Sequence, residues 1–197
     1  MARTIEFDRN KVLQDAMQLF WIEGYRGCSV SDLVAATNLK PGSIYGSFDS
    51  KEGLFLESLD YYAKEFISNL IDTLRQSETP LSGIENIVKN ISGQTLSKHH
   101  PLGCFLINTV VEATPDDMQI LESANKHLET VEEILYVALL EAKESGELTS
   151  LQDAKVLAKF LMVNIWGLRV LAKTNPNKES VKAVVGQLLE VISGNKQ

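Results

Sequence analysis

Cysteine is scarce. The chain has two in 197 residues, Cys28 and Cys104, far apart in sequence, so no disulfide framework is expected. Long hydrophobic runs are missing as well. No apolar stretch approaches the ~18 residues of a membrane span. The opening segment, MARTIEFDRN, has no apolar core of the kind a secretory leader carries. Both absences point to a cytoplasmic protein without a membrane partner. No strand alternation, internal repeat or low-complexity segment stands out. Catalytic signatures are lacking too: there is no G-x-S-x-G, no P-loop and no H-x-x-x-H. His99 and His100 are adjacent and have no third ligand at metal spacing. No metal, cofactor or enzymatic activity is expected, and His127 is expected on a solvated helix face.

A positive balance is also lacking, since the net charge is −7, from 19 basic and 26 acidic residues. The distribution matters more than the sum. Residues 1–51 hold six basic groups (Arg3, Arg9, Lys11, Arg26, Lys40, Lys51) and six acidic ones (Glu6, Asp8, Asp15, Glu23, Asp32, Asp49), so the acidic excess lies beyond them. A neutral head on an acidic body can bind nucleic acid if its cations line one face.

What the sequence does hold is helical periodicity, with 44% apolar and 23% charged residues. Apolar residues recur at three- and four-residue spacing from 8–23, with Gly24 as the stop. Ser29 and Asp32 form an acidic capping box, followed by Val30, Leu33, Val34 and Thr37. Asn38 suits the left-handed end of that helix. Pro41 suits the first position of a short helix over 41–47, whose outer face is small: Gly42, Ser43, Gly46. Phe48 returns to the core and Ser50 caps a long helix to about residue 76. Further helices are expected over 83–98, 103–113, 117–145, 151–174 and 179–193. The sixth, with Phe105, Leu106, Ile107, Val110 and Val111, reads as central and buried. The eighth carries two apolar stripes: Leu157, Leu161, Ile165, Leu168 and Ala172, then Val156, Phe160, Val163 and Val170. The fold class is all-α, about nine helices, with a three-helix head and a helical bundle.

The pattern G-Y-x-x-C-S-V-x-x-L-V over 24–34, then L-x-P-G-S-I-Y-x-x-F-x-S-K-E-x-L-F over 39–55, resembles the N-terminal domain of the TetR family of bacterial repressors. The close match covers about the first quarter of the chain. Asn38 stands where the family usually has Gly, and Ser47 where an aromatic or His often precedes the Phe. The resemblance implies a helix-turn-helix DNA-binding domain over 1–50 and a ligand-binding and dimerisation domain over 51–197. It implies a homodimer on a near-palindromic operator, a repressor released by a small-molecule effector. It places phosphate contacts at Tyr45 and Lys51. Base edges would be reached from Lys40, Pro41, Gly42 and Ser43, at the N-terminal end of the short helix. Arg3 and Arg26 are candidate backbone clamps, and Ser29 and Ser47 complete the DNA set.

In the body, Tyr62, Phe66, Cys104, Phe105, Asn108, Met162 and Trp166 are candidates to line the effector cavity, against the plainer reading of a filled core. Helices 8 and 9 are expected to form the dimer interface, because one body can cover only one of helix 8's two apolar faces. Cys28 reads as a small buried hydrophobe. Cys104, at the expected start of helix 6, is either another or a thiol whose helix dipole favours the thiolate and lets it sense an electrophile or oxidant. The alternative to a repressor is a helical ligand-binding or protein-interaction module that does not bind DNA.

Overall fold

Asp8 caps the first helix, its carboxylate accepting from Asn10 N and Lys11 N. The computed structural model describes residues 7–97, 102–148 and 153–194. Helix α1 (Arg9–Gly27) is interrupted at Gly24, where φ is 73° and ψ 166°. A side chain there would be strained by its backbone and would meet Glu112 Oε2 at 2.7 Å. The glycine therefore turns the chain where the head meets the body.

Helix α2 (Val30–Thr37) opens on the expected capping box: the Ser29 hydroxyl accepts from Asp32 N, and Asp32 accepts from Ser29 N. Such a cap is worth about 1 kcal/mol. Asn38 ends the helix in the left-handed region at φ 55°. Helix α3 (Pro41–Phe48) starts on Pro41, and Ile44 and Phe48 are its buried residues. Leu33, Ile44 and Phe48 join Val12, Ala16 and Phe20 in one core.

Helix α4 (Lys51–Gln76) is capped by Ser50 and runs from head to body. It packs on α1 and α3 at one end and on the body helices at the other. Phe55 carries this continuity, meeting Phe20 at 4.9 Å, Tyr25 at 5.0 Å and Phe105 at 5.4 Å between ring centroids. Edge-on aromatic pairs of this kind add roughly 0.5–1.5 kcal/mol beyond their burial. One hydrophobic cluster thus spans head and body.

The remaining helices are α5 (Pro80–Thr95), α6 (Phe105–Glu112), α7 (Met118–Glu144), α8 (Ala154–Leu171) and α9 (Lys178–Ser193). Three differ from the sequence expectation for physical reasons. α5 begins three residues early, because Thr79 and Ser82 make a capping box around Pro80. α6 is shorter, and Val111 at its far end is 71% exposed, so only the Phe105–Thr109 part is buried. α8 begins at Ala154, capped by Asp153, whose side chain accepts from Lys155 N, and it ends in a 3-10 turn (Ala172–Thr174). Residues 151 and 152 of the expected start lie outside the described residues. His127 is corrected as well. It is half-buried, with Nε2 2.6 Å from Asp60 Oδ1 on α4, so it ties α7 to α4 and does not face solvent freely.

Candidate nucleic-acid interface and effector region

α3 is positioned by its two buried residues, and everything else on it faces outward. Pro41, Gly42, Tyr45 and Gly46 are exposed, and Ser43 and Ser47 are half-buried. Tyr45 is 50% exposed although it is a large ring with no core role. Nothing lies within 4 Å of where a Cβ on Gly42 or Gly46 would stand. The surface is therefore small, open and able to approach another surface closely.

The head's cations separate into two groups. Arg9 grips Glu57 through two nitrogens, at 2.6 Å and 3.2 Å, donates to the Ser47 carbonyl and lies 4.4 Å from the Phe48 ring centroid. Lys11 pairs with Asp15 at 2.6 Å. Arg26 pairs with Asp117 at 2.9 Å. Among the described residues, this leaves Lys40 and Lys51 as the head cations without a carboxylate partner. Lys40 is exposed at the N-cap of α3. Lys51 opens α4, with Nζ 4.5 Å from the Tyr25 ring centroid. The two unneutralised charges thus flank α3, which is the arrangement a neutral head needs to meet a polyanion. Arg3 lies outside the described residues. The Ser29 hydroxyl is occupied within its own capping box, donating to Asp32 Oδ2 at 2.6 Å.

Arg26 has a different setting from that of a free backbone clamp. Its guanidinium reaches 91 residues along the chain, donating to both carboxylate oxygens of Asp117 at 2.9 and 3.1 Å and to the Thr114 hydroxyl. Asp117 also accepts from Thr114 N at 2.9 Å and from the Thr114 hydroxyl at 2.8 Å. These backbone and side-chain hydrogen bonds, then Arg26, hold its carboxyl below the usual carboxylate range. Arg26 therefore ties the end of α1 to the α6–α7 corner. Beneath it lies a cavity of about 210 Å³ lined by Phe20, Trp21, Gly24, Phe55, Phe105 and Asn108 among others.

The body candidates are only partly brought together. Tyr62 and Phe66 stack at 4° and 6.2 Å, and Tyr62 meets Phe105 edge-on at 5.8 Å. The Tyr62 hydroxyl donates to Cys104 Sγ at 3.4 Å. Burial first, then the neighbouring thiol, raises the Tyr62 phenol well above its ordinary value. Asn108 is turned back on the chain, donating to the Leu102 carbonyl at 2.8 Å. Met162 is buried, and Trp166 is half-buried with an indole N–H that has no hydrogen-bond partner among the described residues. None of Tyr62, Cys104, Met162 and Trp166 lines the 210 Å³ cavity, which Phe105 and Asn108 border, or a larger groove of about 800 Å³ between α4 and α5, on which Phe66 lies. Cys104 is the N-cap of α6 and 2% exposed, closed in under Tyr62, and matches the buried-hydrophobe description. Cys28 does so too: burial pushes its thiol up to about 11.

Sequence reasoning missed three residues here. Trp21 packs edge-on against Tyr62 at 5.0 Å and donates to the Leu102 carbonyl. Asp117 receives Arg26. Arg169 is a buried charge on α8. Only Arg169 left a trace in the sequence, at four-residue spacing after Leu161 and Ile165 on the buried stripe. Among the described residues no cluster of three His, Cys, Asp or Glu could hold a metal, and no helix is long and apolar enough to cross a membrane.

One face of α8 remains uncovered. Leu157, Leu161, Ile165 and Leu168 are buried, while Val156, Phe160, Val163 and Val170 are 63, 37, 69 and 45% exposed. Val184 on α9 is 47% exposed. Val156, Val163 and Val170 repeat every seven residues, and Gly167 between them leaves open space. That is the pattern of a helix seam awaiting a partner.

Comparison with known proteins agrees with this geometry. Residues 12–58 match the profile described as bacterial regulatory proteins, tetR family. Residues 80–188 match a tetracyclin repressor-like C-terminal domain. The HTH-type transcriptional repressor ComR of Escherichia coli (strain K12) is 32% identical over 94% of this chain and 89% of its own length. The HTH-type transcriptional repressor DhaR of Mycobacterium sp. (strain GP1) is 24% identical over 98% of this chain and 94% of its own. Among solved structures, a cysteine mutant of the TetR family transcriptional regulator CifR, complexed with 26-bp operator DNA, superposes with a TM-score of 0.86. It is 29% identical and covers 95% of this chain and 98% of its own.

Proposed function

The chain belongs to the TetR family of helix-turn-helix transcriptional regulators, and from that premise we propose that it is an effector-released repressor which binds a near-palindromic operator as a homodimer. The observation that carries this reading is the exposed, small-residue surface of α3, bracketed by the two unneutralised lysines of the head. Repression is what the names of ComR and DhaR state of those relatives, and operator binding is what the CifR complex states of that protein. The division is a DNA-binding head over 1–50 and an effector and dimerisation body over 51–197, acting in the cytoplasm. A mobility-shift titration with DNA from the gene's own upstream region tests it. A shifted band that outlasts excess unrelated DNA is expected, and equal competition by unrelated DNA would refute it.

Each head would lay α3 in a major groove, with its N-terminal residues toward base edges. Tyr45 and Lys51 position the protein on phosphates, while Lys40 and Ser43 contribute to sequence choice. Arg3 is a further phosphate clamp in this scheme, with Ser29, Pro41, Gly42 and Ser47 at the contact surface. Lys51→Ala should weaken binding to every DNA and shallow the plot of log affinity against log salt by about one unit per protomer. Ser43→Ala should shift preference at one or two base positions and leave that slope alone. Equal losses with unchanged salt dependence would refute the division of labour.

Dimerisation runs through α8 and α9 in this account, two pairs meeting as a four-helix bundle over the uncovered valines. The effector binds in the body near Tyr62, Phe66 and Phe105 and favours a spacing of the two heads that no longer fits the operator. Binding of DNA and effector then oppose each other by the same factor. α4 is the lever, since it is shared by both parts, and the Arg26–Asp117 tie is the second link. Arg26→Ala removes that link while leaving α3 untouched. Operator affinity without effector should change less than about threefold, while effector-induced release weakens by about 1 kcal/mol of coupling, roughly fivefold. Full release with Arg26→Ala would show that α4 acts alone.

A further inference from the structure

Arg169 is a charge with no assigned work. It sits on the core-facing stripe of α8 and is 7% exposed. Its Nη1 donates to a neutral acceptor, Gln94 Oε1, at 2.7 Å. The guanidinium lies 5.9 Å from the Phe66 ring centroid. Its buried Nε has no hydrogen-bond partner among the described residues. Among the described residues no carboxylate pairs with it. A guanidinium does not give up its proton in a protein, so burial cannot neutralise it as it would a lysine. A buried charge is ordinarily paired, and an unpaired one is costly. An amide oxygen and an aromatic face compensate it only in part.

The same guanidinium borders the groove of about 800 Å³ between α4 and α5. Phe66, Leu70, Ile87 and Ile91 give that groove an apolar wall. Asn69 and Asn90 add neutral polar groups. Its volume is within the range of small-molecule sites. Two features select the ligand. The planar fork of Arg fits a carboxylate through two parallel N–H bonds, and Nε belongs to the edge that would make them. Asp72 and Lys89, which also line the groove, offset each other and leave Arg169 as its single net charge, which matches one carboxylate and not a doubly charged anion such as phosphate.

We propose that this groove is a binding site for a small monocarboxylate with an apolar body, its carboxylate paired with Arg169 and its body against Phe66. The binding stands by itself; its link to DNA release rests on the effector mechanism proposed above. The site lies on the α4 lever, so an occupant that orders the α4–α5 wall is placed to act on the heads.

The test titrates the full-length protein with naphthalene-2-carboxylate, with its neutral isostere naphthalene-2-carboxamide, and with inorganic phosphate, by calorimetry. The carboxylate should bind once per chain and at least about tenfold tighter than the amide, and phosphate should not bind. Arg169→Lys keeps the charge and loses the fork, so it should lose most of that preference. Arg169→Gln should abolish it. Should those variants fail to fold by circular dichroism, the acid-against-amide comparison on the unaltered protein still decides, with Phe66→Leu weakening both probes. Equal affinity for acid and amide, no binding of either, or undiminished preference in a folded Arg169 variant overturns the site. A parallel titration of labelled operator DNA separates the two claims. Carboxylate binding without DNA release leaves the site standing and overturns its role as effector. Operator binding by a protein that takes no carboxylate leaves the regulator and overturns the site.

Discussion

Gly42→Glu is expected to abolish operator binding and to leave the folded protein as stable as before. Gly42 is the second residue of α3, exposed, with open space where a Cβ would stand. In the free protein the new Cβ has nothing within 4 Å. A glycine in a helix interior costs up to about 1 kcal/mol relative to better helix formers. An acid in the first turn also suits the helix dipole. Thermal stability should therefore hold or rise slightly. In the proposed docking the same side chain would stand between α3 and the groove floor and bring a carboxylate toward phosphates. An unpaired charge forced into a contact costs about 3 kcal/mol or more, over a hundredfold in affinity. Anisotropy with labelled operator DNA measures the loss, and a thermal melt checks the fold. Binding within threefold of the parent would mean that α3 does not approach DNA by this face.

The second large effect is at the other end of the molecule. Val163→Glu should turn the proposed dimer into a monomer at micromolar concentration. Val163 is 69% exposed and lies midway in the seven-residue series of Val156, Val163 and Val170. Burying a valine is worth about 1.5–3 kcal/mol, and the two-fold axis doubles every change. A glutamate there also meets its own symmetry copy or an apolar wall, so the penalty adds to the lost burial. The monomer keeps its core, because the residues facing inward on α8 are Leu157, Leu161, Ile165 and Leu168. Operator affinity should fall by at least about a hundredfold, since two linked heads gain through effective concentration what one head lacks. Sedimentation velocity gives the mass directly. A parent protein that is already a stable, soluble monomer, or a Val163→Glu variant that stays a dimer, would sink the α8–α9 interface.

The sequence made the head legible almost residue by residue, because local chemistry decides it. The Ser29–Asp32 box, the left-handed Asn38, Pro41 and the Ser50 cap each act within four residues of themselves. The same holds for the helix periods of the body and for the two faces of α8. What stayed hidden depends on partners distant in the chain. Nothing near Arg26 foretells that it reaches Asp117, 91 residues on, so it reads as a free clamp. Met162 and Trp166 share the helical spacing of pocket residues, yet neither lines the cavity or the groove described here, because which side of α8 faces a void depends on how α4 and α5 pack. Arg169 is hidden for the opposite reason. A charge is ordinarily read as solvent-facing, and its place on the buried stripe was the stronger signal. The α5 start reads three residues late because Gly83 looks like a boundary while Thr79 and Pro80 set the true one.

The central claim is that two α3 helices read one operator together. Hydroxyl-radical footprinting of the full-length protein on the upstream region of its own gene tests that most directly. The account predicts two protected half-sites related by approximate two-fold symmetry, their centres about 34 Å apart or a multiple of it, on one face of the duplex. Both should disappear together with Gly42→Glu. A single protected segment at saturating protein, or uniform protection along the fragment, would contradict it.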